Sequence, residues 1–235
     1  MKITLLTGRT FDYQKHFGFP IKITKSSRAK RLTIRIDEKN HCPSLTIPKG
    51  CSQKQAVKFV DANKDWILNM MARLPQAKNF CNGDTISFFG KNYIINQTHA
   101  QKGGCFEDNY IKIGGQPEFL NRRVTDFLKE QTLEKLSKLT LEKAKILNCH
   151  VSGVSIKDTK SRWGSCSTLG NINYNWRICM APSYVIDYLV SHEVSHLLHP
   201  DHSASFWQTV ETLCPNYKEG RHWLKIKGKD LYKYV

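Results

Sequence analysis

Ser191-His192-Glu193-Val194-Ser195-His196 runs directly into Leu197-Leu198-His199-Pro200-Asp201-His202. The first six residues contain H-E-x-x-H, and a further histidine follows six positions after the second. On an α-helix, residues four apart lie one turn up and only about 40° around the axis. His192 and His196 can therefore reach one ion, with Glu193 directed between them, close to any water on that ion. Two neutral imidazole nitrogens, a third ligand and an open fourth position describe a catalytic zinc site. A carboxylate that takes a proton from water beside the ion completes a hydrolase centre.

Working upstream, Pro182 stands where a helix tolerates proline, at its first turn. Val185, Ile186, Leu189, Val190, Val194 and Leu197 then fall on one side of a helical wheel, with Asp187, Ser191 and Ser195 opposite. His192 and His196 project from the edge of the apolar side, towards the protein body. Downstream, Pro200 disfavours the α conformation in the residue before it, so the helix is expected to stop near Leu198 or His199. The chain can then turn back and bring His202 beneath the first two histidines. His199 competes for the third position if the helix persists. His202 is preferred, because a ligand from outside the helix closes a tetrahedron more easily.

The run His192-Glu193-x-x-His196-Leu197-x-His199-Pro200-Asp201-His202-Ser203-x-x-Phe206-Trp207 resembles the YgjP-like zinc metallopeptidases. So does Lys160-Ser161-Arg162-Trp163-Gly164-Ser165-Cys166, leading to Gly170-Asn171-Ile172 and Asn175-Trp176-Arg177. These relatives are minimal zincins, grouped with the SprT-like and WLM metalloproteases. The resemblance is closest over residues 150 to 228. It implies one zinc ion held by His192, His196 and His202, with Glu193 as catalytic acid/base. It also implies an α+β fold: a zincin-like metallopeptidase core, with the HExxH helix and a small antiparallel sheet bearing a cleft-edge strand, behind a strand-rich N-terminal section. Ser195 and Gly220 depart from the family pattern, which more often has Ala at the first position and a longer charged residue at the second.

Bulk properties bound the remaining options. A chain of 235 residues can bury a sizeable core, as one domain or two. No apolar segment approaches the length that spans a bilayer, and no export signal is read near Met1. Eight cysteines occur singly, without a C-x-x-C pair, so reduced thiols are expected, many of them buried, in a cytoplasmic protein with no membrane partner. Thirty-six Lys and Arg against 20 acids give a net charge of +16. Such an excess favours polyanions and also simple solubility. Its densest pieces are Lys22, Lys25, Arg28, Lys30, Arg31 and Arg35, and then Lys218, Arg221, Lys225, Lys227 and Lys229.

Residues 1–115 read as a strand-rich section with one helix, and 116–235 as the metallopeptidase section. Leu32, Ile34 and Ile36 alternate with polar residues as in a half-buried strand, and Leu45-Thr46-Ile47 makes its partner across a connection with Asn40 and Pro43. Ser52 and Gln55 form a capping-box pattern that opens a helix through Met70, with Pro75 ending it. Asn82-Gly83 marks a turn, and Gly90-Lys91 joins a hairpin. His16, His41 and His99 read as surface residues. From Pro117 a long helix carries Phe119, Leu120, Val124, Phe127, Leu128 and Leu136, to pack behind the metal helix.

A strand is expected near Val154–Asp158, and a second over Asn171–Ile178. The second has Ile172, Tyr174, Trp176 and Ile178 on one face, with Asn173, Asn175 and Arg177 on the other. The resemblance to zincins suggests that this strand aligns a polypeptide substrate, with Asn173, Asn175 and Arg162 as candidate substrate contacts. An ordinary amphipathic strand reads equally well from the residues alone. Gly164 implies a bend or a close backbone approach. Arg162 can stabilise an oxyanion or tie down its loop, and Trp163 reads as a packing anchor. Ser203 caps a last helix with Phe206, Trp207, Val210 and Leu213 on its apolar face. Tyr217 and His222 are candidate donors to a tetrahedral intermediate, and the tail past Lys225 is expected to fray.

Two functional classes follow. The first is a zinc-dependent peptidase. The second is a basic, nucleic-acid-associated protein, binding without sequence preference, whose metal site is structural or vestigial. A protease acting on DNA-bound proteins joins the two. Glu193 favours the first, since a purely structural site needs no base beside its ligands.

Overall fold

The computed structural model describes residues 2–4, 10–12, 16–37, 42–72, 78–98, 103–159 and 161–234. Pro75, Asn40, His41, His99 and Lys160, which figured in the sequence reading, lie outside these residues. Two compact units are present, Met1–Leu74 and Pro75–Val235. The division therefore falls well before residue 115, where the sequence pattern placed it. The reason is core sharing: Ile86, Phe88, Ile95, Ile111 and Ile113 pack into the same cluster as Val124, Leu128, Val185 and Leu189.

In the first unit, β1 (Lys2–Thr4) and β2 (Thr10–Asp12) pair antiparallel. β3 (Lys22–Ser26), β4 (Thr33–Asp37) and β5 (Cys42–Pro48) form a sheet in the order β3-β5-β4. β4 and β5 pair as expected; they run antiparallel, with Ile34 opposite Leu45. Leu45 and Ile47 point into a core completed by Ala56, Val60 and Ile67 from two helices. The capping box is present: Ser52 N–H donates to Gln55 Oε1, and Gln55 N–H donates to Ser52 Oγ. The expected single helix is broken in two, α1 (Gln53–Ala62) and α2 (Lys64–Ala72). At Asn63 the backbone leaves the helical region, and the side-chain amide bonds back to the Phe59 carbonyl instead.

The second unit holds a four-stranded sheet, ordered β6-β7-β9-β8, from β6 (Thr85–Phe88), β7 (Lys91–Thr98), β8 (Gly104–Glu107) and β9 (Tyr110–Gly114). The β6–β7 turn sits at Phe89-Gly90, both with positive φ, one residue before the expected pair. The long helix is α3 (Leu120–Ile146), preceded by a 3-10 turn at Pro117–Phe119. It buries Val124, Leu128, Leu136 and Ala144 in the common core.

A smaller sheet comes next: β10 (Gly153–Lys157), β11 (Gly164–Cys166) and β12 (Asn171–Asn175), ordered β10-β12-β11. This sheet is mixed rather than antiparallel, since β10 and β12 run parallel and only β11 opposes β12. The strand expected to border the cleft, β12, is the central one, so its backbone is engaged on both sides. It also stops at Asn175, whose side chain accepts a hydrogen bond from Arg177 N and caps a 3-10 turn, Trp176–Met180. Arg177, expected on the polar face of that strand, is 6% exposed and lies between the Trp176 ring, Asp158 and the Tyr234 carbonyl.

Three helices close the chain: α4 (Ser183–Ser195), α5 (Ala204–Leu213) and α6 (Tyr217–Lys227). The tail past Lys225 does not fray. A 3-10 segment, Gly228–Lys233, follows α6, Leu231 and Tyr234 are buried, and Tyr234 stacks on Phe80 at 4.7 Å. Lys78 N–H also donates to the Lys233 carbonyl at 2.7 Å, which stitches the terminus to the core.

Candidate metal centre

The α4 helix is buried almost all round, not amphipathic as its wheel suggested. Ser191 and Ser195 are both fully buried, and each hydroxyl donates to the carbonyl four residues earlier, at 2.7 Å. A serine satisfied in that way presents a small, quenched surface, so neighbouring helices can close over it. Gly220 of α6 does so on another flank. A Cβ there would lie 2.6 Å from Tyr188 Cβ, so the smallest residue suits this position. Lys143 of α3, 7% exposed, ties the helix from behind by pairing with Asp187 at 2.8 Å and donating to the Leu213 carbonyl.

At the end of α4 the helix tightens rather than stopping abruptly. Leu197 N–H reaches Val194 O, and His199 N–H reaches Ser195 O, before Pro200 turns the chain away. Ser203 Oγ then accepts from Phe206 N–H and opens α5, with Asp201 holding Ser203 N–H. The result returns His202 to α4. His192, His196 and His202 place one ring nitrogen each within 4.8 Å of one another, and the Nε2 atoms of His192 and His202 are 3.3 Å apart. His199 is not in this cluster with its ring; its backbone carbonyl instead receives His196 Nδ1 at 2.9 Å. That bond fixes the tautomer, leaving His196 Nε2 bare and facing the other two rings. Phe206, fully buried, packs against all three imidazoles at 4.5 to 5.0 Å and forms their common backing.

The donor set suits a borderline-soft divalent cation. Burial, with His196, His202 and Arg221 nearby, pushes the His192 pKa down to about 3, so its ring is neutral across the physiological range. Burial also lowers His196. His192 Nδ1 is buried with no polar partner, whereas its Nε2 turns towards the cluster. Three imidazole nitrogens within 4.8 Å of one another fit zinc by number and type.

Glu193, 4% exposed, forms the wall of an adjoining cleft of about 320 Å³, shared with His192, Trp163, Gly164, Arg162 and Arg221. Burial raises its carboxyl to about 8. Gly164 carries the close approach expected of it: a Cβ there would lie 2.4 Å from Glu193 Oε1. Its strand, β11, is an edge of the small sheet and runs past the carboxylate. A second hollow, about 430 Å³, lies beside His196, Leu197 and His150.

Not every expected residue reaches the site. Arg162 lines the cleft, while its backbone carbonyl is anchored by Thr159 Oγ1. Asn173 and Asn175 are engaged within the fold instead of facing a substrate. Asn173 links Ser155 and Ser165, and Asn175, 1% exposed, donates to the Thr159 carbonyl. Tyr217 stacks on Trp207 and His222 is exposed; neither lines the cleft, which α6 supplies with Arg221 and Lys225. Those two cations went unread as site residues, although their spacing of four puts them on one helical face. All eight cysteines are free thiols, but only Cys179 and Cys214 are buried. Cys166 on β11 is held neutral, its pKa raised to about 11 by burial and then by Glu193.

A family model described as "YgjP-like, metallopeptidase domain" matches residues 30–227. A solved structure, the crystal structure of the metallopeptidase zymogen of Pyrococcus abyssi abylysin, is similar with a TM-score of 0.35 and 26% identity, over 39% of this chain and 95% of that one. No curated protein matches the chain.

Proposed function

The chain belongs to the YgjP-like metallopeptidase family, and on that premise we propose that it is a zinc-dependent peptidase with Glu193 as its general base. The observation that carries this reading is the convergence of three imidazoles within 4.8 Å, with Glu193 in the same cleft as His192. His192, His196 and His202 hold the ion. When bound, zinc polarises a carbonyl oxygen and lowers the pKa of water. The remaining steps belong to this chain's own side chains. Glu193 accepts the proton of the attacking water and delivers it to the departing amide nitrogen. Gly164 leaves the carboxylate room, and the His199 carbonyl keeps His196 in register. An extended polypeptide pairs with the free edge of β11, through backbone bonds that hold it regardless of sequence.

Metal content and hydrolysis of an unstructured protein substrate, measured together, test this. Glu193→Gln should keep stoichiometric zinc and lose roughly 10²- to 10⁴-fold in rate, the usual contribution of a general base. His192→Ala, His196→Ala and His202→Ala should each lose the metal, while His199→Ala, which keeps its carbonyl, should retain it. Near-normal hydrolysis by Glu193→Gln would sink the mechanism.

A further inference from the structure

The lining of the Glu193 cleft is cationic. Arg162 enters it from the loop before β11, and Arg221 and Lys225 from successive turns of α6. Glu193 is the one acid in that lining. Among the described residues, no carboxylate pairs with any of the three cations. Arg221 is also held in place rather than free to sweep solvent. Its guanidinium lies 4.4 Å above the Trp207 ring, and that indole is stacked on Tyr217 at 5.5 Å. Trp207 in turn stands 5.9 Å from both His192 and His202, so the stack fixes a positive charge beside the histidine cluster. Arg162, Arg221 and Lys225 are exposed at the rim of this concave lining, where like charges repel one another and their combined field concentrates anions. A guanidinium with its fork pre-oriented is the group best suited to a planar carboxylate.

We infer that this cleft selects polypeptides bearing a carboxylate next to the bond presented to Glu193, and that Arg221, supported by Arg162 and Lys225, reads it. The inference rests on the peptidase reading above and deepens it by naming the substrate class. The carboxylate belongs either to an internal Asp or Glu side chain or to the free end of the substrate. Both chemistries meet the same guanidinium, and the test separates them.

Three matched fluorescent peptides serve as probes: one with an internal Glu and an amidated end, its Gln counterpart with an amidated end, and the Gln counterpart with a free end. Binding is measured by anisotropy to full-length, zinc-loaded Glu193→Gln protein. The internal-Glu peptide should bind about tenfold more tightly than its amidated Gln counterpart, the scale of one charge-assisted hydrogen bond in a partly exposed site. Tight binding of the free-end peptide alone assigns the pocket to a terminal carboxylate instead. Adding Arg162→Gln, Arg221→Gln and Lys225→Gln should bring the ratio close to one, and Arg221→Gln alone should lower it should the triple variant fail to fold. A control with Lys54→Gln, Lys58→Gln and Lys64→Gln, exposed positions in the first unit, removes the same charge elsewhere and should keep the ratio. Equal binding of all three peptides, or equal loss in the control, overturns the inference in favour of diffuse attraction. Cleavage of the same peptides by the unsubstituted protein distinguishes the two readings. Binding preference without any cleavage overturns the peptidase reading and leaves the selectivity standing, whereas cleavage without preference does the reverse.

Discussion

Glu193 combines two demands at a single residue: it must be dry enough to hold a proton and free enough to move one. Burial answers the first, and the sign of its effect on stability follows. A carboxyl whose pKa rises from 4.5 to about 8 on folding binds protons more tightly in the fold than in the unfolded chain. Its contribution is fully present below pH 4.5 and is lost as pH climbs to about 8. Neutral, buried His192 and His196 add stability as pH rises towards 6.5 and offset this loss there. Metal-free protein should therefore lose stability between about pH 6.5 and 8, on the order of 2 kcal/mol, and Glu193→Gln should flatten that alkaline limb. Denaturant melts at a series of pH values in chelator check this, and an unchanged slope in the variant would assign the effect elsewhere. Gly164 offers a second residue-level test. A Cβ at that position meets the buried Glu193 side chain along its length and no backbone, with Oε1 at 2.4 Å, Cδ at 2.6 Å and Cγ at 2.7 Å. The carboxylate should swing aside rather than the fold yield. Gly164→Ala should therefore keep its zinc and its melting temperature within a few degrees, while kcat falls at least tenfold. Equal loss of stability and activity would mean that the strand moved instead.

Among the elements, the C-terminal segment is the one whose role differs most from its composition. Residues 217–234 are rich in lysine, yet Tyr217, Gly220, Leu231 and Tyr234 are buried. Gly228 packs against the Trp163 indole, whose ring meets Tyr232 at 4.9 Å, and the Tyr234 carbonyl receives Arg177 Nε. Removing the chain from Leu231 onward would strip a leucine, two aromatic anchors and a partner of a buried guanidinium. Each such loss costs about 2–5 kcal/mol. The truncated protein should unfold at markedly lower denaturant and bind zinc less tightly, as calorimetry and metal titration would reveal. Wild-type stability would show that the segment is merely draped on the surface.

Over the whole molecule, the charge of +16 has two separate expressions. Arg162, Arg221 and Lys225 are gathered at the cleft, whereas Lys22, Lys25, Arg28, Lys30, Arg31 and Arg35 are all exposed on the first unit. The second group sits on β3, β4 and their connection, with no helix shaped to enter a groove. Any nucleic acid held there should be gripped by its phosphates, without sequence preference and with affinity falling steeply in salt. Neutralising Lys30, Arg31 and Arg35 together should weaken binding and shallow the salt slope, with zinc content untouched. Anisotropy across a salt series decides it: salt-insensitive binding would contradict the phosphate picture, and no binding at low salt would leave solubility as the purpose of the charge.

Local chemistry determined much of this protein. The i, i+4 histidines with Glu193 between them, the Ser52–Gln55 box, the Ser203 cap and the Ile34–Leu45 pairing are all short-range patterns, and each is present in the fold. Pro200 likewise signalled the turn that returns His202, because the residue before a proline is disfavoured in the helical region. Tertiary packing decided the rest. Ser191 and Ser195 look like a wet face until their hydroxyls are seen bonded to their own helix, which only matters once other helices cover them. Alternation over Asn171–Ile178 signals a strand but not its neighbours, so it could not say that β12 would be central and β11 the free edge. Nor could it say that the amides of Asn173 and Asn175 would be used to hold the sheet together. Arg221 and Lys225 read as tail charges because nothing within α6 records that Gly220 lets the helix press against Tyr188. That close contact brings two cations into the cleft that Glu193 also lines, from a place in the chain some thirty residues away, and no local pattern encodes such an approach.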